Sequence, residues 1–353
     1  SLAKWKIDTL YQLMQKHPKF NPIIWLRSPQ NTSPELTDKQ KALEYFKKNK
    51  YNVLDVNSYE EMRASASPDI LFLQEPYDTD IDLKKGDLIC NIRYSLNNSI
   101  EPDAINNFLQ NIALYNFVED NNTANEYKRC MLNHGINVEA TGHPYIENLL
   151  EGLDSADSRY ARNIQQHKKI IWAPHWSVTE GSSYYNTSTF LQISDYMIEL
   201  AKKYEDKIQF YFKPHPSLYK ALCNHPEWGK NKTDLYYNKW KTMPNCQVYT
   251  GDYKELFYES DAMIHDCGSF LIEYPLTDKP CLFLLKEGHM YENYNALSIR
   301  AMKCHTIGSS INDIEIFILQ ILNGEDNKIE AGGESIVFPD LGAITVAEGD
   351  TIT

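Results

Sequence analysis

No stretch of this chain stays apolar for long enough to cross a bilayer, and its first residues carry no signal-peptide pattern. They begin Ser-Leu, as an excised piece or a tagged chain would. Positive charge is also short: 35 Lys and Arg stand against 48 Asp and Glu, a net charge of −13. So acidic a surface argues against sequence-independent binding of nucleic acid, which needs a basic face. Phosphate would have to be held locally, by a few cations and by backbone N–H groups at helix starts. The seven cysteines are odd in number and form no Cys-x-x-Cys pair. That argues against a disulfide framework or a structural zinc site, and for a reducing compartment. No carboxylate cluster asks for a metal, and no cofactor is expected. Internal repeats and low-complexity runs are missing too.

What the chain has is alternation. Its 353 residues suit two domains rather than one core. In the first half, β-rich runs at 21–27, 51–56, 69–74, 87–95 and 136–142 are separated by helical stretches at 2–17, 35–49, 102–117 and 123–134. In the second half, strands at 169–174, 207–213, 246–250, 261–266 and 280–285 are interleaved with helices near 188–204, 217–224, 252–259, 269–276 and 310–322. Such alternation predicts parallel sheets covered by helices on both faces. The fold class expected is α/β, with two doubly wound Rossmann-like domains of five strands each facing a central cleft, a GT-B-like arrangement. The domains are placed at 1–150 and 169–330, with a polar linker at 151–168. The Gly-rich tail at 331–353 breaks the pattern and has no assigned role.

Three strand ends carry polar residues where an open α/β sheet binds its ligand. In FYFKPHPSLY a strand stops at Lys213 and Pro214, presents His215, and closes with Pro216. APHWS puts His175 at the tip of the strand before it. HDCGSF sets Asp266, Gly268 and Ser269 in a small-residue turn opening a helix, where free N–H groups favour an anion. Each has a bland counterpart: an ordinary N-cap, a structural histidine, an aromatic rim beside Trp176. Three on one sheet edge point to a phosphate or pyrophosphate site.

The order GHPYIENLL, IIWAPHWS, FYFKPHP and GDYKELFYESDAMIHDCGSFLIEYPLTDKPCLFL resembles the CDP-glycerol glycerophosphotransferase family, over about residues 69–290. These enzymes build teichoic acids and related capsule polymers. The resemblance implies a GT-B fold and transfer of glycerol phosphate or ribitol phosphate from a CDP donor to a hydroxyl of a polymer or lipid-linked acceptor, releasing CMP. It implies that His215, as a protonated imidazole, assists at the donor pyrophosphate, and that Gly268 and Ser269 are the phosphate turn. The family has two adjacent serines there; Gly268 replaces one. Its Trp-His-Gly base motif is also missing. Gln74, Glu75 and Pro76 stand in that place, so Glu75 is expected as the base, its pKa raised by burial. Lys213, His175, Asp266 and His143 are expected to contact substrate. His143 has the alternative of capping the linker. The chain is expected in the cytoplasm, at most peripheral to the inner membrane face: the 2–17 helix has some apolar periodicity, but packing on its own domain suffices to explain it. Two rivals use the same features. One is a GT-B nucleotide-sugar enzyme, a glycosyltransferase or a relative of UDP-N-acetylglucosamine 2-epimerase. The other is a non-catalytic GT-B module, favoured by the absent Trp-His-Gly.

Overall fold

A computed structural model of the chain describes residues 4–27, 36–75, 83–84, 86–99, 102–156, 167–179, 187–250, 253–286 and 294–325. The tail at 331–353 and most of the expected linker, 157–166, lie outside the described residues. The chain divides into two compact units, one ending at Leu149 and the next starting at Leu150. The helix Pro144–Ala156 runs through that division, so the expected linker begins inside a helix.

Among the described residues, the amino-terminal unit has six strands: β1 Ile24–Arg27, β2 Val53–Val56, β3 Ile70–Leu73, β4 Leu88–Ile92, β5 Tyr115–Val118 and β6 Val138–Ala140. They pair as two parallel sheets, β1-β2 and β3-β4-β5-β6. Six strands stand where five were expected. The region 102–117, expected as one helix, is two short helices, Pro102–Ile105 and Phe108–Ile112, followed by β5. Asn107 starts the second through a capping box with Gln110. That local signal outweighs the apolar spacing that imitates one long helix.

The described residues of the unit from Leu150 also form six strands: β7 Lys168–Ala173, β8 Ile208–Phe212, β9 Cys246–Val248, β10 Ala262–His265, β11 Cys281–Leu284 and β12 Thr306–Gly308. The last was not expected, because three edge residues are too few to show alternation. All pair in parallel in one sheet, in the order β12-β11-β10-β7-β8-β9. Counted within the unit this is 3-2-1-4-5-6 read from the other edge, the doubly wound order. The connections reverse direction between β7 and β10, which lie side by side, and ligands of such sheets bind at the carboxyl ends of that pair.

Burial on both faces explains the nearly continuous apolar runs of these strands. Ile170, Trp172, Phe210, Phe212, Ile264 and Leu282 face one core with the helices Phe190–Lys203, Gly229–Thr242 and Ile311–Asn323. Trp172 stacks on Phe190 and Phe212 at 5.8 and 5.0 Å and meets Trp240 at 5.3 Å. This aromatic block anchors the strand whose end carries His175.

Candidate functional site

β7 ends at Ala173, β8 at Phe212 and β10 at His265, so His175, Lys213, His215 and Asp266 all emerge from one sheet edge around the switch point. Backbone bonds hold the first two exits together: Lys213 N–H donates to Trp172 O at 2.8 Å and His215 N–H to Pro174 O at 3.0 Å. The two prolines flanking His215 leave that backbone little freedom. The rings of His175 and His215 lie 5.2 Å apart at 63°, with Trp176 5.7 and 6.2 Å from each.

Both rings are held in one tautomer. Ser217 N–H donates to His215 Nδ1 at 3.1 Å, which leaves the proton of a neutral ring on Nε2. Ser177 N–H donates to His175 Nδ1 at 3.4 Å, and Ser177 Oγ, which accepts from Thr187 N–H at 3.0 Å and Ser188 N–H at 3.3 Å, lies 2.8 Å from the same nitrogen and gives its proton to it. Burial first, and then the neighbouring cation Lys213, pushes the His215 pKa down to about 4. Burial and His215 push that of His175 down to about 3. The protonated imidazole expected at 215 is therefore a neutral ring at pH 7, offering Nε2–H as a hydrogen-bond donor. The positive charge at this edge is that of Lys213. Its Nζ sits over the rings of Tyr253 and Phe270 at 5.0 and 5.5 Å.

Asp266 faces inward. Its Oδ1 accepts from His175 N–H at 2.5 Å, and its Oδ2 accepts from Thr189 N–H at 2.6 Å and Thr189 Oγ1 at 2.9 Å. Burial raises its pKa to about 6 against these three donors, which favour the carboxylate, so it is ionised at pH 7. Both oxygens are engaged within the protein. Asp266 acts as a clamp fixing the backbone of His175, in place of the direct substrate contact expected of it. Gly268 and Ser269 are the first residues of the helix Gly268–Glu273. Gly268 is not among the positive-φ glycines, so its backbone does not require glycine.

In the amino-terminal unit, Glu75 follows β3 as expected. It is not buried: its side chain is 37% exposed and its Oε1 accepts from Lys4 Nζ at 2.7 Å. Gly142, with φ 82°, turns the chain after β6 and brings His143 under β4. There His143 Nε2 donates to Arg93 O at 2.8 Å and Nδ1 accepts from Tyr145 N–H at 3.2 Å. With both nitrogens occupied and the ring buried, His143 pins the backbone and has no face for a substrate. Two charged residues at the same sheet edge escaped sequence reading. Arg93 Nη1 donates to Asn97 Oδ1 at 2.5 Å, and buried Glu119 accepts from the N–H and side-chain amide of Asn97 at 2.7 to 3.0 Å. Their positions, just after β4 and β5, were the signal, and β5 had been assigned to a helix.

Among the described residues no group of three or more His, Cys, Asp or Glu is placed to hold a metal, and no helix is long and apolar enough to cross a membrane.

The sequence matches the model of the CDP-glycerol:poly(glycerophosphate) glycerophosphotransferase family over residues 6–340. No curated protein sequence matches the chain. Among solved structures it is similar to a variant of the wall teichoic acid polymerase TagF soaked with CDPG, at 14% identity, a TM-score of 0.53, and coverage of 93% of this chain and 88% of that one. It is similar to UDP-GlcNAc 2-epimerase from Neisseria meningitidis bound to UDP-GlcNAc, at 14% identity and TM-score 0.54, covering 94% and 92%. MnaA from S. aureus with UDP has 15% identity and TM-score 0.58, covering 97% and 90%. At such identities the likeness is one of fold, and that fold is GT-B.

Proposed function

We infer a mechanism from one premise: the chain belongs to the CDP-glycerol:poly(glycerophosphate) glycerophosphotransferase family. It is a transferase that moves glycerol phosphate from a CDP-linked donor to a polymer hydroxyl, and CMP leaves. The donor belongs at the carboxyl edge of β7, β8 and β10. The observation that carries this assignment is the convergence of two neutral imidazoles, 5.2 Å apart, beside buried Lys213 at the switch point of the sheet. Neutral Nε2–H groups of His175 and His215 donate to the pyrophosphate oxygens, and Lys213 supplies charge. Gly268 and Ser269 lie against the same pyrophosphate. Phosphoryl transfer needs positioning and charge stabilisation more than covalent help, and preorganised donors supply both. As the bond to CMP breaks, charge grows on its phosphate, and the His215 N–H bond strengthens there.

The acceptor hydroxyl, on a polymer or a lipid-linked chain, is assigned to the amino-terminal unit, with Glu75 receiving its proton. An exposed, ion-paired carboxylate does this when the transition state is loose: it orients the hydroxyl and takes the proton late. A cytoplasmic setting, with membrane contact made only through the acceptor, completes the reading.

Calorimetric titration with CDP-glycerol, UDP-N-acetylglucosamine and CMP tests the donor site. CDP-glycerol is expected to bind selectively, and His215→Ala to weaken it by about tenfold, the worth of one charge-assisted hydrogen bond. Selective binding of the UDP-sugar would instead assign the site to a nucleotide-sugar enzyme.

A further inference from the structure

His265, the residue before Asp266, ends β10 on the sheet face opposite the Trp172 core. It is fully buried against Phe283, whose ring centre is 5.2 Å away, and its Nε2 lies 3.1 Å from Nε2 of His305, also buried. Two buried imidazoles joined nitrogen to nitrogen need a direction of donation, and the surroundings set it. His305 Nδ1 is 2.9 Å from Ala301 O, which only accepts, so Nδ1 carries the proton. Burial pushes the His305 pKa down to about 4, and burial together with His305 pushes that of His265 well down, so both rings are neutral. The bare Nε2 of His305 then accepts from His265 Nε2–H. The remaining nitrogen, His265 Nδ1, is bare and faces Cys267 N–H at 3.3 Å, with Cys267 O at 3.2 Å. One unidirectional chain results, from Cys267 N–H through His265 and His305 to the carbonyl of Ala301 in the helix Ala296–Met302. Nothing in the reaction proposed above uses it.

We infer that the His265–His305 pair is a positioning device for the donor site: it holds the peptide between Asp266 and Cys267 in one orientation from a helix about 40 residues away. That peptide joins the carboxylate that clamps His175 to the turn bearing Gly268 and Ser269. A tilt there displaces both, and a buried network is suited to prevent it because a half-satisfied one is costly. This rests on the assignment of that turn and edge to the donor.

The experiment has two arms. Imidazole nitrogen-15 shifts of the free, labelled protein are expected to report the Nε2–H tautomer for His265 and Nδ1–H for His305. Calorimetry with CDP-glycerol then compares variants. His305→Phe keeps the ring volume but leaves His265 Nε2–H unpaired, and is expected to weaken binding about tenfold. His305→Gln retains an acceptor for that N–H and is expected to bind within threefold of wild type. The double variant His265→Phe/His305→Phe removes the buried Nε2–H that His305→Phe leaves unpaired, so its thermal stability is expected to recover above that of His305→Phe while its weak binding persists. A merely structural pair would recover both together. The opposite tautomers, or wild-type affinity in both Phe variants while the wild-type chain binds CDP-glycerol, overturn this inference alone. Failure of the wild-type chain to bind CDP-glycerol overturns the donor-site assignment and this inference with it.

Discussion

The unit from Leu150 has one unbroken sheet and a continuous core in which Trp172, Phe212 and Trp240 stack. Among its described residues the amino-terminal unit has a sheet of two strands and a sheet of four, with small apolar clusters such as Tyr11, Ile24, Ala42 and Phe46, or Val56, Tyr59, Met62 and Leu71. Between its clusters the interior is polar. Asn91 donates to Asn116 at 2.8 Å, and Asn116 and Asn137 both donate to Gln110 O, at 2.9 and 3.0 Å. The difference follows what each unit carries. Two imidazoles kept neutral and about 5 Å apart need a platform that does not shift, and close packing on both sheet faces gives one.

Acid should break this contrast most strongly. His175, His215 and His305 are held near 3, 4 and 4, below the ordinary value of about 6.5, so the folded chain binds fewer protons than the unfolded one. Stability is therefore expected to fall as pH drops below about 6.5, by about 2 kcal/mol per ring at pH 5. Asp266, raised to about 6, works the other way between its ordinary range near 4 and that value, and offsets roughly one ring. All four groups lie beyond Leu150, as does His265, also pushed down by burial; burial lowers His143 in the amino-terminal unit too, so denaturant melts at pH 7 and pH 5 should show both units losing stability and the carboxyl-terminal unit losing more. Equal losses in both units would remove the electrostatic part of the comparison.

The packing part is sharpened by truncation. Trp240 is fully buried and touches Trp172, Phe210 and Phe212, so Trp240→Ala is expected to cost about 4 kcal/mol. Phe46 in the amino-terminal unit is as buried but sits in a small cluster that collapses more readily. Phe46→Ala is expected to cost about 3 kcal/mol, measured in the same denaturant series.

How far each unit was legible in the sequence divides along similar lines. The KPHP, APHW and HDCGS turns were readable because each signal is local, a strand stopped by proline, glycine or a small polar residue. Their joint placement followed from parallel alternation alone. The role of Asp266 was hidden because its partner Thr189 is 77 positions away. His305 was hidden likewise, since only the fold brings it to His265. The helix Gly229–Thr242 was missed because its Lys-rich face masks the spacing of Tyr236, Tyr237 and Trp240. In the amino-terminal unit the loss was greater. Short, half-buried strands have weak alternation, and reading Tyr115–Val118 as helix removed Glu119 from the sheet edge.

The smallest expected effect on stability is at Lys4, and its partner Glu75 is the most direct probe of the amino-terminal unit. Its ion pair with Lys4 is largely exposed, so Lys4→Ala is expected to change stability by less than about 0.5 kcal/mol. If Glu75 receives the acceptor proton, and the donor binds the other unit as proposed, Glu75→Gln lowers kcat by about 100-fold while CDP-glycerol affinity stays at the wild-type value. Single-turnover assays with a poly(glycerophosphate) primer, beside calorimetry with the donor, separate these. A kcat within threefold of wild type would leave Glu75 as the partner of Lys4 and return the search for the base to the Arg93, Asn97 and Glu119 cluster at the same sheet edge. Arg93 and Glu119 are fixed there by buried hydrogen bonds, as Glu75 is not, so that outcome would make the two units more alike: each would work from a rigid strand end.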